Sequence, residues 1–316
     1  MADNALQPKE PLDPAYAKLV DELRAIIPGL QADCPVTVGW SSDYKLRLSD
    51  SAGRRYLLRC SAGVPVSRRA MQAGAMLEAS AAGMLCTLPA KYGPLCDGGS
   101  FILQTWLEGD GLEDILRESD ASTCRNLGEL AGRALRSVHD ASIGPASDFA
   151  FITAARRIER HIAGYVRSGF SEPWQCDALA AVRDGLHLLR GRPVCLRHGD
   201  FHPGNMVLHG DKLGIIDFDR CDRGDPFDEF YKAEMFSREL STDFVNGQLH
   251  AYFCGDPPKL FWKVLKLYLA DVIMYSLVWA LPFGEAEVEG MRSRAITVID
   301  DFDSFRANVP SWYSKP

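Results

Sequence analysis

The nine cysteines include no Cys-x-x-Cys pair, so neither a zinc ribbon nor a thioredoxin-type site is available. Basic excess is also missing. A net charge of −7 argues against nucleic acid or an anionic membrane as the default partner. The N-terminus carries no basic-then-apolar leader. No apolar run is long and clean enough for a membrane span, because residues 260–283 are interrupted by Lys263, Lys266 and Asp271. A buried helix is expected there instead. There is no Walker loop, no Gly-x-Gly-x-x-Gly, no internal repeat and no low-complexity tract. An odd, scattered set of cysteines without a leader sets the expected location as a reducing cytoplasm.

What is present is a chain of 316 residues, 47% hydrophobic and 24% charged, which suits two lobes better than one core. After a proline-containing arm (1–15) and a helix near 14–27, short β-type runs follow. They are Val36-Thr-Val38, Tyr44–Leu48 and Arg55–Arg59, separated by turn residues and reading as a three-strand meander. A helix over 67–83 and a strand over Phe101–Leu107 come next. Glu108-Gly-Asp-Gly111 reads as a hinge. Helices then dominate, with an apolar stripe at Leu127, Leu130, Ala131, Ala134, Leu135 and Val138. The fold class expected is α+β, bilobal and protein-kinase-like. A small β-rich lobe (1–107) is followed by a larger helical lobe (108–316).

The chemistry concentrates in Leu196-Arg-His-Gly-Asp-Phe-His-Pro-Gly-Asn-Met206 and Gly214-Ile-Ile-Asp-Phe-Asp219. Asp200 and Asn205 stand in the spacing His-x-Asp-x4-Asn, and Asp217 follows Asn205 by twelve residues. This is the layout of a kinase catalytic loop and metal loop. Phosphoryl transfer needs a carboxylate to orient or deprotonate the attacking hydroxyl, and hard oxygen ligands to hold Mg2+ on the phosphates. Asp200 fits the first role. Asn205 and Asp217 fit the second, because Met206–His209 and Lys212–Ile216 read as a hairpin turning at Gly210-Asp211 that sets them side by side.

With its following Gly224-Asp225-Pro226, this pattern resembles the aminoglycoside phosphotransferase and choline kinase superfamily. Protein kinases differ, with Arg at the place of Gly199 and an Ala-Pro-Glu segment that this chain lacks. The resemblance implies ATP as donor, with GTP as the alternative, Mg2+ as metal, and a small-molecule hydroxyl as acceptor. His198 is grouped with Asp200 at the catalytic centre, bracing the loop in preference to moving a proton. Arg59 takes the phosphate-contacting place, and Ser41 and Ser42 sit in a phosphate-covering loop. Thr105 and Leu107 fall on the adenine-binding hinge, with Leu57 above the base and Ile216 below it. Asp225 caps the helix begun by Pro226, and Asp228 and Glu229 belong to the scaffold. Asp219 is open between a metal role and a turn, and His202 has no assigned role. One departure stands out. The cation at 59 ordinarily pairs with a helical acid, yet residues 70–77 contain none, and Glu78 comes about one turn late.

The leading expectation is a resistance kinase for an aminoglycoside-like, cationic antibiotic. Its ammonium groups would meet Glu285, Glu287, Glu289, Asp300, Asp301 and Asp303, unless those acids form a solvated helix face. The alternatives are a metabolite kinase (choline, homoserine or sugar type) and a non-catalytic nucleotide-binding protein. No nucleic acid and no membrane are expected as partners, and the state is monomer or homodimer.

Overall fold

The structure, a computed structural model, describes residues 14–37, 43–96 and 98–316. Two compact units emerge. One comprises the chain up to Leu77 together with Cys86–Glu108, and the other comprises Glu78–Leu85 with Gly109–Pro316.

In the first unit, α1 (Pro14–Arg24) leads into β1 (Gln31–Pro35), β2 (Tyr44–Ser49) and β3 (Arg55–Ser61). Then follow α2 (Val66–Ala81), whose last turn belongs to the second unit, β4 (Pro89–Pro94) and β5 (Ser100–Thr105). The sheet is antiparallel in the order β1-β2-β3-β5-β4. Alternation along β2 and β3 buries Leu46, Leu48, Tyr56 and Leu58 against Leu19, Val20 and Leu23 of α1. The meander expected from sequence is therefore part of a five-stranded sheet, and two details differ. The first strand lies at 31–35, not 36–38, because pairing with β2 overrides the weak β-propensity of Gln-Ala-Asp-Cys; Val38 lies outside the described residues. β4 was hidden by its prolines, which an edge strand tolerates.

In the second unit, β6 (Asp110–Gly111), α3 (Leu112–Glu118), α4 (Ala121–Ser142), α5 (Asp148–Ser168) and α6 (Gln175–Gly185) precede the site. The site-bearing stretch holds β7 (Cys195–Arg197), β8 (Met206–His209), β9 (Lys212–Ile215) and β10 (Asp222–Gly224). Helices α7 (Thr242–Phe253), α8 (Lys259–Ala280) and α9 (Glu285–Asp301) complete it. Asp120 caps α4, accepting from the Thr123 amide at 2.7 Å. Along α4 the predicted stripe is buried at Leu127, Ala131, Leu135 and Val138. Glycines let α4 meet α7 backbone to backbone: a Cβ at Gly128 would stand 2.0 Å from the Phe244 carbonyl oxygen. The segment Lys259–Phe283 is long and apolar enough to cross a membrane, but 72% of that window is buried. It is a core helix, against which α5, α6 and α9 pack.

Candidate active site

The hairpin β8–β9 sets the site. Met206 faces Ile215 in register and His209 faces Lys212 across a two-residue turn, with Gly210 at φ 62°. Beyond the paired residues the ladder continues by one bond, from the Ile216 amide to the Asn205 carbonyl at 3.0 Å. Asn205 and Asp217 thus flank the hairpin base as neighbours. Asp217 adopts φ 65° and ψ 68°, the left-handed region that Asp tolerates better than most side chains, and it accepts from the Asp219 amide. The Asn205 amide group donates to the Asp200 carbonyl at 2.9 Å, which ties the hairpin base to the loop bearing Asp200.

The loop bearing Asp200 is braced by the His198 ring and backbone amide. The ring Nε2 lies 3.0 Å from the Ile216 carbonyl, and its Nδ1 accepts from the Asp200 amide at 3.3 Å. The ring packs edge-on to Phe218, and burial lowers its pKa. An imidazole with both nitrogens engaged is placed to brace, the role expected of it from the sequence. Glu229 holds the same loop from below, its two oxygens accepting from the His198 and Gly199 amides, each at 2.8 Å. Burial pushes the Glu229 carboxyl up to about 7, against the pull of Arg197 and those amides. Arg197 is clamped bidentately by Asp222 at 2.8 and 2.7 Å and also reaches Asp228, which Arg157 approaches at 2.7 Å. Asp225 accepts from the Phe227 amide at 3.0 Å, as a cap should, and binds Arg192. Gly199 has φ 78°, and a Cβ there would lie 2.3 Å from the Arg220 carbonyl oxygen, which explains glycine at this place.

Asp200 itself sits beside a cation that sequence reading missed. The buried ammonium of Lys232 is 2.5 Å from Oδ1, Arg220 Nε is 3.8 Å from Oδ2, and His202 Nε2 is 3.7 Å from Oδ1. Burial works to raise the Asp200 carboxyl, but Lys232, His202 and Arg220 override it and hold the group well below the usual carboxylate range. His202 is pushed down to about 4, chiefly by burial, and is neutral. It lies against Phe236 with ring centroids 5.1 Å apart. One signal of Lys232 was in the sequence: a lysine followed two residues later by Glu234 inside the apolar run Phe230–Phe236.

Among the described residues, no three His, Cys, Asp or Glu side chains gather into a metal cage. The oxygens offered at the hairpin base, from Asn205 and Asp217, fit a small hard cation that takes the rest of its shell from phosphates and water.

In the first unit, Arg59 on β3 is 3% exposed. Its Nε lies 3.1 Å from Asp43, a carboxylate that Arg69 also reaches at 2.9 Å. Glu78, the acid offered to Arg59 from sequence, is instead gripped by Arg223 at 2.8 and 2.6 Å. Leu57 is half-buried on β3. The Thr105 amide donates to the Leu88 carbonyl and its hydroxyl accepts from the Leu88 amide, so that N–H serves the sheet. Leu107 lies two residues past the ladder, and Ile216 is half-buried at the hairpin base. Ser41 and Ser42 lie outside the described residues.

The sequence pattern of the phosphotransferase enzyme family (APH) matches residues 34–261. The chain belongs to this family. This phosphotransferase is therefore a small-molecule kinase. No curated protein matches its sequence. Among solved structures, a thermostable variant of aminoglycoside phosphotransferase APH(4)-Ia, in ternary complex with ADP and hygromycin B, aligns with a TM-score of 0.68 at 13% identity. The alignment covers 89% of this chain and 98% of that one. A choline/ethanolamine kinase family protein from Mesorhizobium loti aligns with a TM-score of 0.64 at 17% identity, covering 93% and 98%. Amicoumacin kinase hAmiN, in complex with AMP-PNP, Ca2+ and Ami, gives 0.60 at 15%, covering 94% and 95%. These likenesses show that the phosphotransferase has the protein-kinase-like fold.

Proposed function

We propose that this phosphotransferase moves the γ-phosphate of ATP, with GTP as the alternative donor, to a hydroxyl of a small molecule. The observation that carries the reading is the hairpin base, which joins Asn205 and Asp217 to the loop bearing Asp200. Asn205 and Asp217 would hold Mg2+, which when bound neutralises phosphate charge. Arg59 would contact the nucleotide phosphates. Leu57 and Ile216 would pack on the base, with Leu107 and the carbonyl of Thr105 offering backbone groups. Asp200, ionised at any neutral pH, accepts the hydroxyl's hydrogen bond and aims its oxygen at the γ-phosphorus. So acidic a carboxylate is a weak base, and its main contribution is orientation. As the acceptor oxygen bonds to phosphorus, the bond to the β,γ-bridging oxygen breaks with its electrons passing to ADP. The hydroxyl proton leaves through Asp200 to water.

An antibiotic acceptor is supported by the hygromycin B and Ami held in two of the similar structures. A metabolite alcohol is supported by the choline/ethanolamine kinase family likeness. The test is calorimetric titration of ATP with Mg2+ present. Asp217→Ala should weaken nucleotide binding, whereas Asp200→Asn should bind it and transfer nothing. Wild-type affinity in Asp217→Ala would remove the metal assignment.

A further inference from the structure

Residues 232–238 connect Asp200 with the end of the chain. Ala233–Ser237 is a π-helical turn, closed by the Arg238 amide on the Ala233 carbonyl at 2.8 Å. Such turns are rare, because the commoner α spacing competes with them, and they recur at functional sites. Lys232, at the start of the turn, carries its ammonium to Asp200 and lies 4.6 Å from the Phe236 ring centre. That ring in turn faces His202 at 5.1 Å. Glu234 and Arg238 make their contacts elsewhere. Glu234 accepts from the indole N–H of Trp312 at 3.0 Å, and Arg238 binds Asp301, the last residue of α9, at 2.8 and 3.0 Å.

Trp312 is placed by its neighbours in the chain. The Ser311 hydroxyl donates to the Asp301 carboxylate at 2.7 Å, and the Ser311 amide to the Asp301 carbonyl at 2.9 Å. The Ser314 amide donates to the Asn246 side chain at 3.0 Å, and the Tyr313 hydroxyl to Asp256 at 2.7 Å. Consecutive residues, Ser311 and Trp312, thus serve two neighbouring buried carboxyls, Asp301 and Glu234. Glu234 is 3% exposed. The charges that bear on it are Asp301, which repels, and Arg238, which is already committed to Asp301. Arg294 of α9 is taken by Glu239 at 2.8 Å. A second carboxyl can give Glu234 a hydrogen bond only while one of the two keeps a proton, whereas an indole N–H donates at every pH. A buried carboxyl deprived of that donor would shift toward another partner, and the turn would shift with it.

We infer that Trp312 is a positioning residue for phosphoryl transfer: its indole N–H on Glu234 holds the π turn in the register that sets the Lys232 ammonium on Asp200. Its action runs through Glu234 and Lys232. The catalytic consequence rests on the phosphotransfer reading, and the positioning itself does not.

The test therefore begins without an acceptor. The full chain is treated with a trace of acetic anhydride, and acetylation of each lysine is followed by peptide mass spectrometry. Lys232 is 5% exposed and ion-paired, so it should react slowly in wild type. Trp312→Phe keeps a ring and removes the N–H. It should speed acetylation of Lys232 by about five- to tenfold, the scale of one hydrogen bond. Lys266, half-buried in the same unit and held by the Phe305 carbonyl at 2.9 Å, reports general loosening and should not change. Glu234→Leu removes the acceptor and should speed Lys232 equally, with the double variant no faster than either. Glu234→Gln keeps an acceptor for the indole and should leave Lys232 slow. Unchanged acetylation of Lys232 in Trp312→Phe, a rise shared by Lys266, or additive effects in the double variant would overturn the inference. Catalysis is read as ADP release from Mg-ATP with hygromycin B, with choline and with water alone, the fastest of the three rates being compared. Trp312→Phe should lower that rate about tenfold, for a displacement of Asp200 and Lys232 well under 1 Å, while AMP-PNP affinity stays within about twofold. A faster-reacting Lys232 with undiminished ADP release would overturn the catalytic role. If wild type releases no ADP under any of the three conditions, the phosphotransfer reading is what fails, and acetylation still decides whether Trp312 positions Lys232.

Discussion

Replacing Gly199 by alanine tests whether the catalytic loop is set by a backbone contact that no other residue permits. The new Cβ would stand 2.3 Å from the Arg220 carbonyl oxygen at a residue with φ 78°. The left-handed conformation alone costs an alanine about 1–2 kcal/mol. Real Cβ atoms essentially never come closer than 3.0 Å to such an atom, so one backbone must move by some 0.7 Å (3.0 − 2.3) or more. Asp200 is the next residue, and a displacement approaching 1 Å at a reacting group costs on the order of a hundredfold in rate. Gly210→Ala is the matched control. Its φ of 62° imposes a comparable conformational cost, but nothing lies within 4 Å of the added carbon. Both variants should lose about 1–2 kcal/mol in urea unfolding, with Gly199→Ala losing more. In a coupled ADP-release assay, turnover should fall about a hundredfold in Gly199→Ala and stay within about threefold in Gly210→Ala. Equal turnover in the two variants would refute the claim that the Arg220 contact positions Asp200.

Glu229→Gln keeps one acceptor for the His198 and Gly199 amides and turns an N–H toward the other, so it should destabilise by about 1–3 kcal/mol in urea unfolding. Lys232→Met removes the cation that overrides burial at Asp200, so the acidic limb of the kcat/KM–pH profile should move to higher pH; an unmoved limb would mean that Lys232 does not control this carboxylate. Glu234 is raised from 4.5 to about 8 by burial and then by Asp301. A raised acid contributes stability that is complete below its unfolded pKa and lost as pH climbs through the folded one. The Glu234 contribution should therefore be lost between about pH 4.5 and pH 8, by about 1.4 kcal/mol per pH unit at most, so the stability of Glu234→Gln measured relative to wild type should rise across that window in thermal scans. Asp225→Ala removes a cap and leaves Arg192 and Tyr268 without their shared acceptor, so a loss of about 2–4 kcal/mol in urea unfolding is expected.

The sequence was most legible where local rules and function coincide. The hairpin at 206–215, its glycine turn, and the cap at Asp225 are each determined by a few adjacent residues, and they appear where pattern put them. The edge strands were harder. β1 has no β-forming composition and exists because β2 offers it a ladder, and β4 wears the prolines that mark a loop elsewhere. The partners around the site were hidden for a different reason. Lys232 meets Asp200, Asp43 meets Arg59, and Glu229 meets two amides thirty or so residues away. Only the fold decides such pairings. The same holds for Asp301 at the end of α9, whose partner Arg238 lies 63 residues earlier. Composition recorded its charge, and the contact changed what that charge can do.

The central claim is that Asp200 serves phosphoryl transfer from a nucleotide to a hydroxyl. Its most direct test is ADP formation from Mg-ATP with and without a panel of small-molecule alcohols, in wild type and Asp200→Asn side by side. The account predicts acceptor-stimulated ADP and a phosphorylated acceptor by mass spectrometry in wild type only, with AMP-PNP bound equally by both. Phosphorylated acceptor formed at the same rate by Asp200→Asn would contradict it.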